Sequence, residues 1–217
     1  MILYHGSRGG IVGEIKPQSR IRCDFGAGFY MGTNPDQAKS LVANDQAPYF
    51  YTLDLDLEPY SSDRVLRLFD MDWAYFVLFN RGRLDSVKGS PLYNKCAHLA
   101  DGKDFIIGAI ADDAMNEAMN RFIRGDITDK AFLESIRGLN YGVQYVAKTE
   151  IACSSITILK ETELFGKELT DALSLLNERR IKGGQIARKM QRKYRREGKY
   201  FDELLAEIEK SFKRDVK

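Results

Sequence analysis

The spacing of apolar residues changes character once along this chain, near residue 162, and that change limits the folds open to it. Before it, short runs of period two alternate with runs of helical period; after it, only the helical period remains. The clearest period-two run is Tyr49 to Leu57. Tyr49, Tyr51, Leu53, Leu55 and Leu57 share one face and Phe50, Thr52, Asp54 and Asp56 the other, which predicts a half-buried strand. Further strands are predicted over Ile2 to His5, Gly28 to Met31, Asp104 to Ile110, Val143 to Ala147 and Ser155 to Leu159. A helix is predicted from Pro35, capped by Thr33 or Asn34, with Ala38, Leu41 and Val42 on one face. Others are predicted over Asp70 to Asn80, Asp112 to Arg124 and Asp129 to Ile136. Beyond Leu164, Leu173, Leu176 and Arg180 mark one helix and Phe201, Leu204, Leu205, Ile208 and Phe212 another, with a break expected at Gly183-Gly184. The pattern is that of an α+β domain over residues 1–162, followed by a basic helical tail over 163–217.

With 217 residues, 44% of them hydrophobic and 29% charged, the chain can bury a core without a disulfide or a metal staple. No basic stretch leads into an apolar run at Met1 to His5, so no secretory leader is expected. No stretch approaches about 18 uncharged apolar residues, so no membrane-spanning helix is expected either. Cys23, Cys96 and Cys153 are scattered without metal-ligand spacing and read as free thiols in a reducing cytoplasm. The net charge of +2 hides an asymmetry. Ten basic residues against the single acid Glu197 lie between Arg179 and Lys199, so the remainder of the chain is acidic.

Three segments carry residues suited to chemistry. Leu3-Tyr4-His5-Gly6-Ser7-Arg8 places a histidine at the end of a strand, beside a residue with no side chain, where backbone N–H and C=O are open to a flat polar group. Taken alone, His5 also fits a satisfied strand-end histidine. Asp24-Phe25-Gly26-Ala27-Gly28-Phe29-Tyr30 leads two glycines into two aromatics, which suits either a ligand stacked on a ring or a turn before a core strand. Val143-Gln144-Tyr145-Val146-Ala147-Lys148-Thr149-Glu150 puts a polar residue at a strand start, and on its own reads as a plain strand.

In order and spacing, these segments resemble the ADP-ribosyltransferase superfamily, in particular its poly-ADP-ribose-polymerase-like, diphtheria-toxin-like branch. The resemblance rests on His5-Gly6-Ser7-Arg8, on Gly26-Ala27-Gly28-Phe29-Tyr30 and on Gln144-Tyr145-Val146. Within that superfamily the chain is most similar to a bacterial family marked by Asp-Phe-Gly-x-Gly-Phe-Tyr. That family also carries Ile-Gly-x-Ile-Ala-Asp-Asp, here Ile107 to Asp113, and Gln-Tyr-Val-x-Lys-Thr, here Gln144 to Thr149. The likeness covers about residues 1–160. It implies a split antiparallel β-sandwich with peripheral helices and NAD, as co-substrate and without a metal, in the cleft between its sheets. It implies that His5 hydrogen-bonds a ribose hydroxyl, Gly6 backbone groups hold the nicotinamide carboxamide, and Tyr30 stacks on the nicotinamide ring. Ser7, Phe25 and Gly28 are expected at the same pocket, with Arg8 meeting a phosphate or bracing the loop.

Gln144 departs from that pattern, which has a glutamate there. Cleavage of the nicotinamide–ribose bond develops positive charge on the sugar, and a carboxylate stabilises it. A neutral amide still accepts a hydroxyl's hydrogen bond but makes a weaker one, at a cost on the order of 10²–10³ in rate. Three accounts stay open: Gln144 positions the substrate; another carboxylate among Glu150, Asp112 and Asp113 enters the site; or the protein binds NAD without turning it over. A regular strand would put Glu150 about 20 Å from Gln144, which favours Gln144. Asp112-Asp113 also reads as a helix N-cap.

The expected function is cytoplasmic mono-ADP-ribosyl transfer to a protein or nucleic-acid acceptor. The resemblance carries with it a toxin or defence role and an antitoxin-like neutralising protein. The alternatives are a non-catalytic NAD or ADP-ribose sensor and a nucleic-acid-binding module; transfer of a 2′-phosphate from RNA to NAD ranks last. In the tail, Arg188, Lys189, Arg192, Lys193, Arg195 and Arg196 suit a phosphate backbone, an acidic partner or a simple solvated face.

Overall fold

A computed structural model of the chain describes residues 1–111, 113–139 and 141–215. The fold is α+β. Its centre is one seven-stranded mixed sheet in the order β4-β5-β6-β2-β1-β3-β7. The strands are β1 (Ile2–Ser7), β2 (Phe29–Gly32), β3 (Tyr49–Leu55), β4 (Val65–Leu68), β5 (Phe105–Ala109), β6 (Val143–Ala147) and β7 (Ile156–Glu163). All neighbours are antiparallel except β4 and β5, which run parallel. One strip of hydrogen-bonded strands with a single parallel pair thus stands where a split antiparallel β-sandwich was expected.

The strip is nearly divided in two. β1 and β3 pair along their whole length, from Ile2↔Asp54 to Ser7↔Tyr49. β2 and β6 pair along theirs, from Phe29↔Ala147 to Gly32↔Gln144. Between the halves, β1 and β2 meet at one register pair, Tyr4↔Gly32. Beyond it the two strands part, and this half-open seam lies at His5, Gly6 and Ser7.

One face of the β4-β5-β6-β2 half is covered by α2 (Asp70–Asn80), α3 (Pro91–His98), α4 (Asp113–Ile123) and α5 (Asp129–Leu139). Trp73, Phe25, Phe122 and Phe132 are fully buried there. The same face of β1 and β3 is covered by α1 (Pro35–Val42), where Ala38 and Val42 pack on Phe50 and Leu164. Asn34 caps α1 by accepting from the Asp36 and Gln37 amides at 3.0 and 3.2 Å. Leu41, expected on the packed face of α1, points outward and is exposed. The opposite sheet face carries a second core of Leu3, Phe29, Met31, Tyr51, Leu53 and Leu55. Phe50 and Tyr51 are both buried, so β3 is covered on both faces at its start; the polar pattern of Thr52, Asp54 and Asp56 concealed this.

The C-terminal region is not a free appendage. α7 (Gly166–Lys193) runs unbroken through Gly183-Gly184, and α8 (Phe201–Asp215) follows it. α7 lies against α1, α4 and α5, burying Ala172 and Ala187. Phe201 enters the main core edge-on to Phe122, with ring centroids 5.4 Å apart. The expected break fails because this inward packing holds the helix through two residues whose intrinsic cost is about 1 kcal/mol each. β4, α3 and the short α6 (Glu150–Ser154) had no distinct sequence signal. Cys96 and Cys153 are buried, Cys23 is half-buried, and all three are free. Among the described residues no helix is long and apolar enough to cross a membrane, and no cluster of three or more His, Cys, Asp or Glu is placed to hold a metal.

Candidate ligand cleft at the strand seam

The seam between β1 and β2 opens into a cleft of about 240 Å³, roofed by the loop of residues 10–19. His5, Ser7, Gly28, Phe29 and Tyr30 form its floor and wall; Glu14, Lys16 and Ser19 come from the roof. The roof is fastened at both ends. Ser7 Oγ donates to the Gly10 carbonyl at 3.0 Å, and the Ile11 amide donates to Tyr51 Oη at 2.8 Å. At the far end Ser19 Oγ donates to the Gly26 carbonyl at 3.3 Å and accepts from the Gly28 amide at 3.2 Å.

His5 spans the seam. Its Nδ1 lies 2.6 Å from the Tyr30 carbonyl oxygen, so a side chain bridges the strands where backbone pairing has stopped. A carbonyl only accepts, which assigns the proton to Nδ1 and leaves Nε2 as an acceptor. The ring rests on Phe29 at 4.4 Å between centroids. Burial pushes the imidazole pKa below its usual value, with the Tyr30 hydrogen bond opposing, so the ring stays neutral at pH 7.

Gly6 is required by packing. A Cβ there would sit 2.3 Å from the Ala38 carbonyl oxygen of α1. Its backbone faces the seam: the Leu55 amide donates to the Met1 carbonyl, and the alternation of an antiparallel ladder then turns Tyr4 and Gly6 away from β3 and toward β2. Gly28 is required in the same way, since a Cβ would meet the Val146 side chain at 2.5 Å and the Ala147 carbonyl oxygen at 2.9 Å.

The remaining predicted residues lie elsewhere. Tyr30 borders the cleft through its backbone, but its ring turns to the opposite sheet face from His5 and packs on the main core. There its hydroxyl donates to the Gly26 carbonyl at 2.7 Å and accepts from the Phe25 amide at 2.9 Å. Burial raises the phenol pKa far above its usual value, with Asp24 adding to the effect. Phe25 is fully buried against Phe76. Arg8 is exposed and lies 3.4 Å from Asp45, bracing its loop.

Gln144 is 6% exposed, on the Tyr30 side of the sheet. Its Nε2 donates to Asp24 Oδ2 at 3.1 Å and to the Ala109 carbonyl at 2.9 Å. Arg81 holds the other Asp24 oxygen through Nε at 2.8 Å and Nη2 at 2.5 Å, and reaches Asn116 through Nη1. The structure therefore does not bring Gln144 to His5. It fixes it as a donor between two acceptors, a role that a glutamate carboxylate cannot fill. Lys148, next along the same motif, donates from Nζ to the Phe25 and Ala27 carbonyls, and burial lowers its pKa to about 8.

Glu150 starts α6, because Thr149 caps a helix there by accepting from the Ala152 amide at 3.1 Å; the regular strand assumed from sequence ends before it. It lines a neighbouring hollow of about 440 Å³ that shares Glu14, Ile15 and Lys16 with the cleft. Asp112 lies outside the described residues. Glu14 is the carboxylate that borders the cleft itself, and among the described residues neither it nor Lys16 has an ion-pair partner. Both sit in a Gly-, Arg- and Lys-rich segment that reads from sequence as a plain connection; the hydrogen bonds at Tyr51 and Ser19, with Ile11 and Ile15 packed on the core below, bring it over β1.

A nearly divided mixed sheet with a loop-roofed cleft at the division defines an α+β protein built around one strand seam. The chain belongs to the family described as protein of unknown function (DUF3990), whose model matches residues 1–158. No curated protein and no solved structure matches the chain significantly.

Proposed function

We propose that this protein binds NAD at the β1–β2 seam, breaks the nicotinamide–ribose bond and transfers ADP-ribose to an acceptor. The observation that carries the reading is the His5 bridge. Nδ1 is committed to Tyr30, so Nε2 is a neutral acceptor at a cleft, suited to a ribose hydroxyl. Gly6, which does not line the cleft itself, supports it by turning its N–H and C=O toward β2 along the seam, a pair matched to a carboxamide. The cleft and the adjoining hollow, divided by Glu14, Ile15 and Lys16, suit the two halves of a dinucleotide.

In this reading Glu14 takes the part first assigned to Gln144. The C1′–N1 bond breaks with its electron pair passing to nicotinamide. The positive charge at C1′ is stabilised by the Glu14 carboxylate, and the incoming acceptor hydroxyl or water gives its proton to the same group. Lys16 opposes the pyrophosphate charge. Phe29, its ring tilted against that of His5 at 4.4 Å between centroids, supports the imidazole.

The test is nicotinamide release from NAD. The native protein releases it, and His5→Ala and Glu14→Gln lower the rate by about 10²-fold or more. Native protein that neither binds nor cleaves NAD refutes the reading. One observation favours a second reading, a non-catalytic NAD or ADP-ribose sensor: the Nε2 donors of Gln144 are taken by Asp24 and Ala109. Calorimetry separates the two, because a sensor binds NAD and leaves it intact.

A further inference from the structure

The outward face of α7 changes sign along its length. Its first half exposes Glu168, Asp171 and Glu178 against the single exposed Lys167; its second half exposes Lys182, Arg188, Lys189, Arg192 and Lys193, and Arg195 and Arg196 follow directly, with Glu197 the one exposed acid beside them. At about 100° per residue, the basic side chains from Lys182 to Lys193 fall in an arc of roughly 140°. That arc is centred opposite Ala172 and Ala187, which pack inward. Among the described residues Lys182, Arg188, Lys189, Arg192, Arg195 and Arg196 have no ion-pair partner, so their charges are free to meet a ligand. The helix dipole favours cations only in the last turn, which accounts for Arg192 and Lys193 but not for the others.

Two hollows adjoin this face. A shallow one is lined by Gln185, Arg188, Lys189, Arg192 and Lys193, with no aromatic or aliphatic residue. The core of a protein–protein interface is apolar, so this surface suits a charged backbone better than an acidic protein. Arg192 also lines the second hollow, of about 350 Å³, with Arg195, Tyr194, Tyr200, Gln191 and Thr128. Asp126 also lines it, its carboxylate paired with Arg124 at 3.1 Å. Tyr194 already lies under Lys130 and Lys193, whereas Tyr200 is 37% exposed and, among the described residues, has no aromatic or cation–π contact.

We infer that this face binds single-stranded nucleic acid, with phosphates along Arg188, Lys189 and Arg192 and a splayed base against Tyr200 in the adjoining hollow. Cations in a row with a stacking ring beside them are what a single strand requires, and a closed duplex offers no base to the ring. The inference is independent of the chemistry at the seam.

The test uses the full chain and fluorescence anisotropy with labelled single-stranded RNA and DNA of about 12 nucleotides, the matching duplex, and polyglutamate as competitor. Binding is expected to weaken steeply between about 50 and 200 mM salt, with a slope near −0.7 per phosphate contacted. Arg188→Glu with Arg192→Glu lowers affinity at least about tenfold and flattens the slope by about 1.4. If that double variant misfolds, Arg188→Gln with Arg192→Gln makes the same comparison. Tyr200→Ala lowers affinity about fivefold or more and leaves the slope unchanged. Equal binding by the charge variants overturns the inference. So does tighter binding of duplex than of single strand, or competition by polyglutamate as effective as that by oligonucleotide at equal charge.

Discussion

Replacing Gln144 by glutamate restores the residue that the ADP-ribosyltransferase pattern expects, and the structure predicts that it harms the protein. In the native fold Nε2 donates to Asp24 Oδ2 at 3.1 Å and to the Ala109 carbonyl at 2.9 Å. Glutamate sets an oxygen against both acceptors. The loss of a charge-assisted bond and a neutral one, with two carboxylates in contact at a buried site, amounts to about 3–5 kcal/mol at pH 7. Gln144→Met removes the donors without adding charge. Ala109 O keeps its bond from Trp73 Nε1 at 2.9 Å, so the cost falls to about 1–3 kcal/mol. The glutamate's pKa is raised in the folded state by the neighbouring Asp24. The ionisation part of its penalty is therefore absent below the unfolded value near 4.3 and grows as pH rises toward the folded value. Urea unfolding read by Trp73, the single tryptophan, checks this, since that ring shares the Ala109 carbonyl. A Gln144→Glu variant as stable as native at pH 7, or one that gains nicotinamide release, refutes the locked-donor account.

Gly6→Ala pushes a methyl to 2.3 Å from the Ala38 carbonyl oxygen, and is expected to cost about 1–3 kcal/mol and to loosen α1 from β1, seen as faster amide exchange in α1. Asp104 is 3% exposed, accepts from Arg64 at 2.8 and 2.9 Å and from Thr149 at 2.7 Å, and has its pKa lowered chiefly by Arg64. Its contribution is present above the unfolded pKa and lost as pH falls through the lower folded one. The stability gap between native protein and Asp104→Asn, about 2–3 kcal/mol at neutral pH, should therefore close below about pH 4. His5 has a lowered pKa, so the unfolded chain takes up its proton first as pH falls and native stability declines below about 6.5. His5→Gln should flatten that decline in denaturation curves measured from pH 7 to 5.

The elements with strong periods were legible in the sequence. Trp73, Phe76 and Val77 placed α2, and Val143 to Ala147 placed β6. What failed depended on contacts between segments distant in the chain. The Gly183-Gly184 pair is helical because Ala187 docks on the core, and Phe50 is buried because α1 crosses β3. At the site, His5, Ser7 and Gly28 come together as their motifs suggested. Tyr30 and Gln144 lie on strands and face the opposite sheet side from His5, while Phe25 lies in the turn before β2; their directions were not readable because the partners that fix them, Asp24, Arg81 and the Phe25 backbone, come from other segments. Glu14 and Lys16 carried no signal, since the loop's course is set by Tyr51 and Ser19.

The most direct test of the seam as an NAD site reads the imidazole of His5. The chain has two histidines, and His98 is exposed beside Asp101, so long-range nitrogen–proton correlation spectra resolve the pair and His5→Gln assigns it. Titration with NAD is expected to move the His5 Nε2 resonance as it accepts a ribose hydroxyl, while Nδ1 stays protonated against Tyr30 and His98 is unmoved. A His5 spectrum unchanged at saturating NAD contradicts the account.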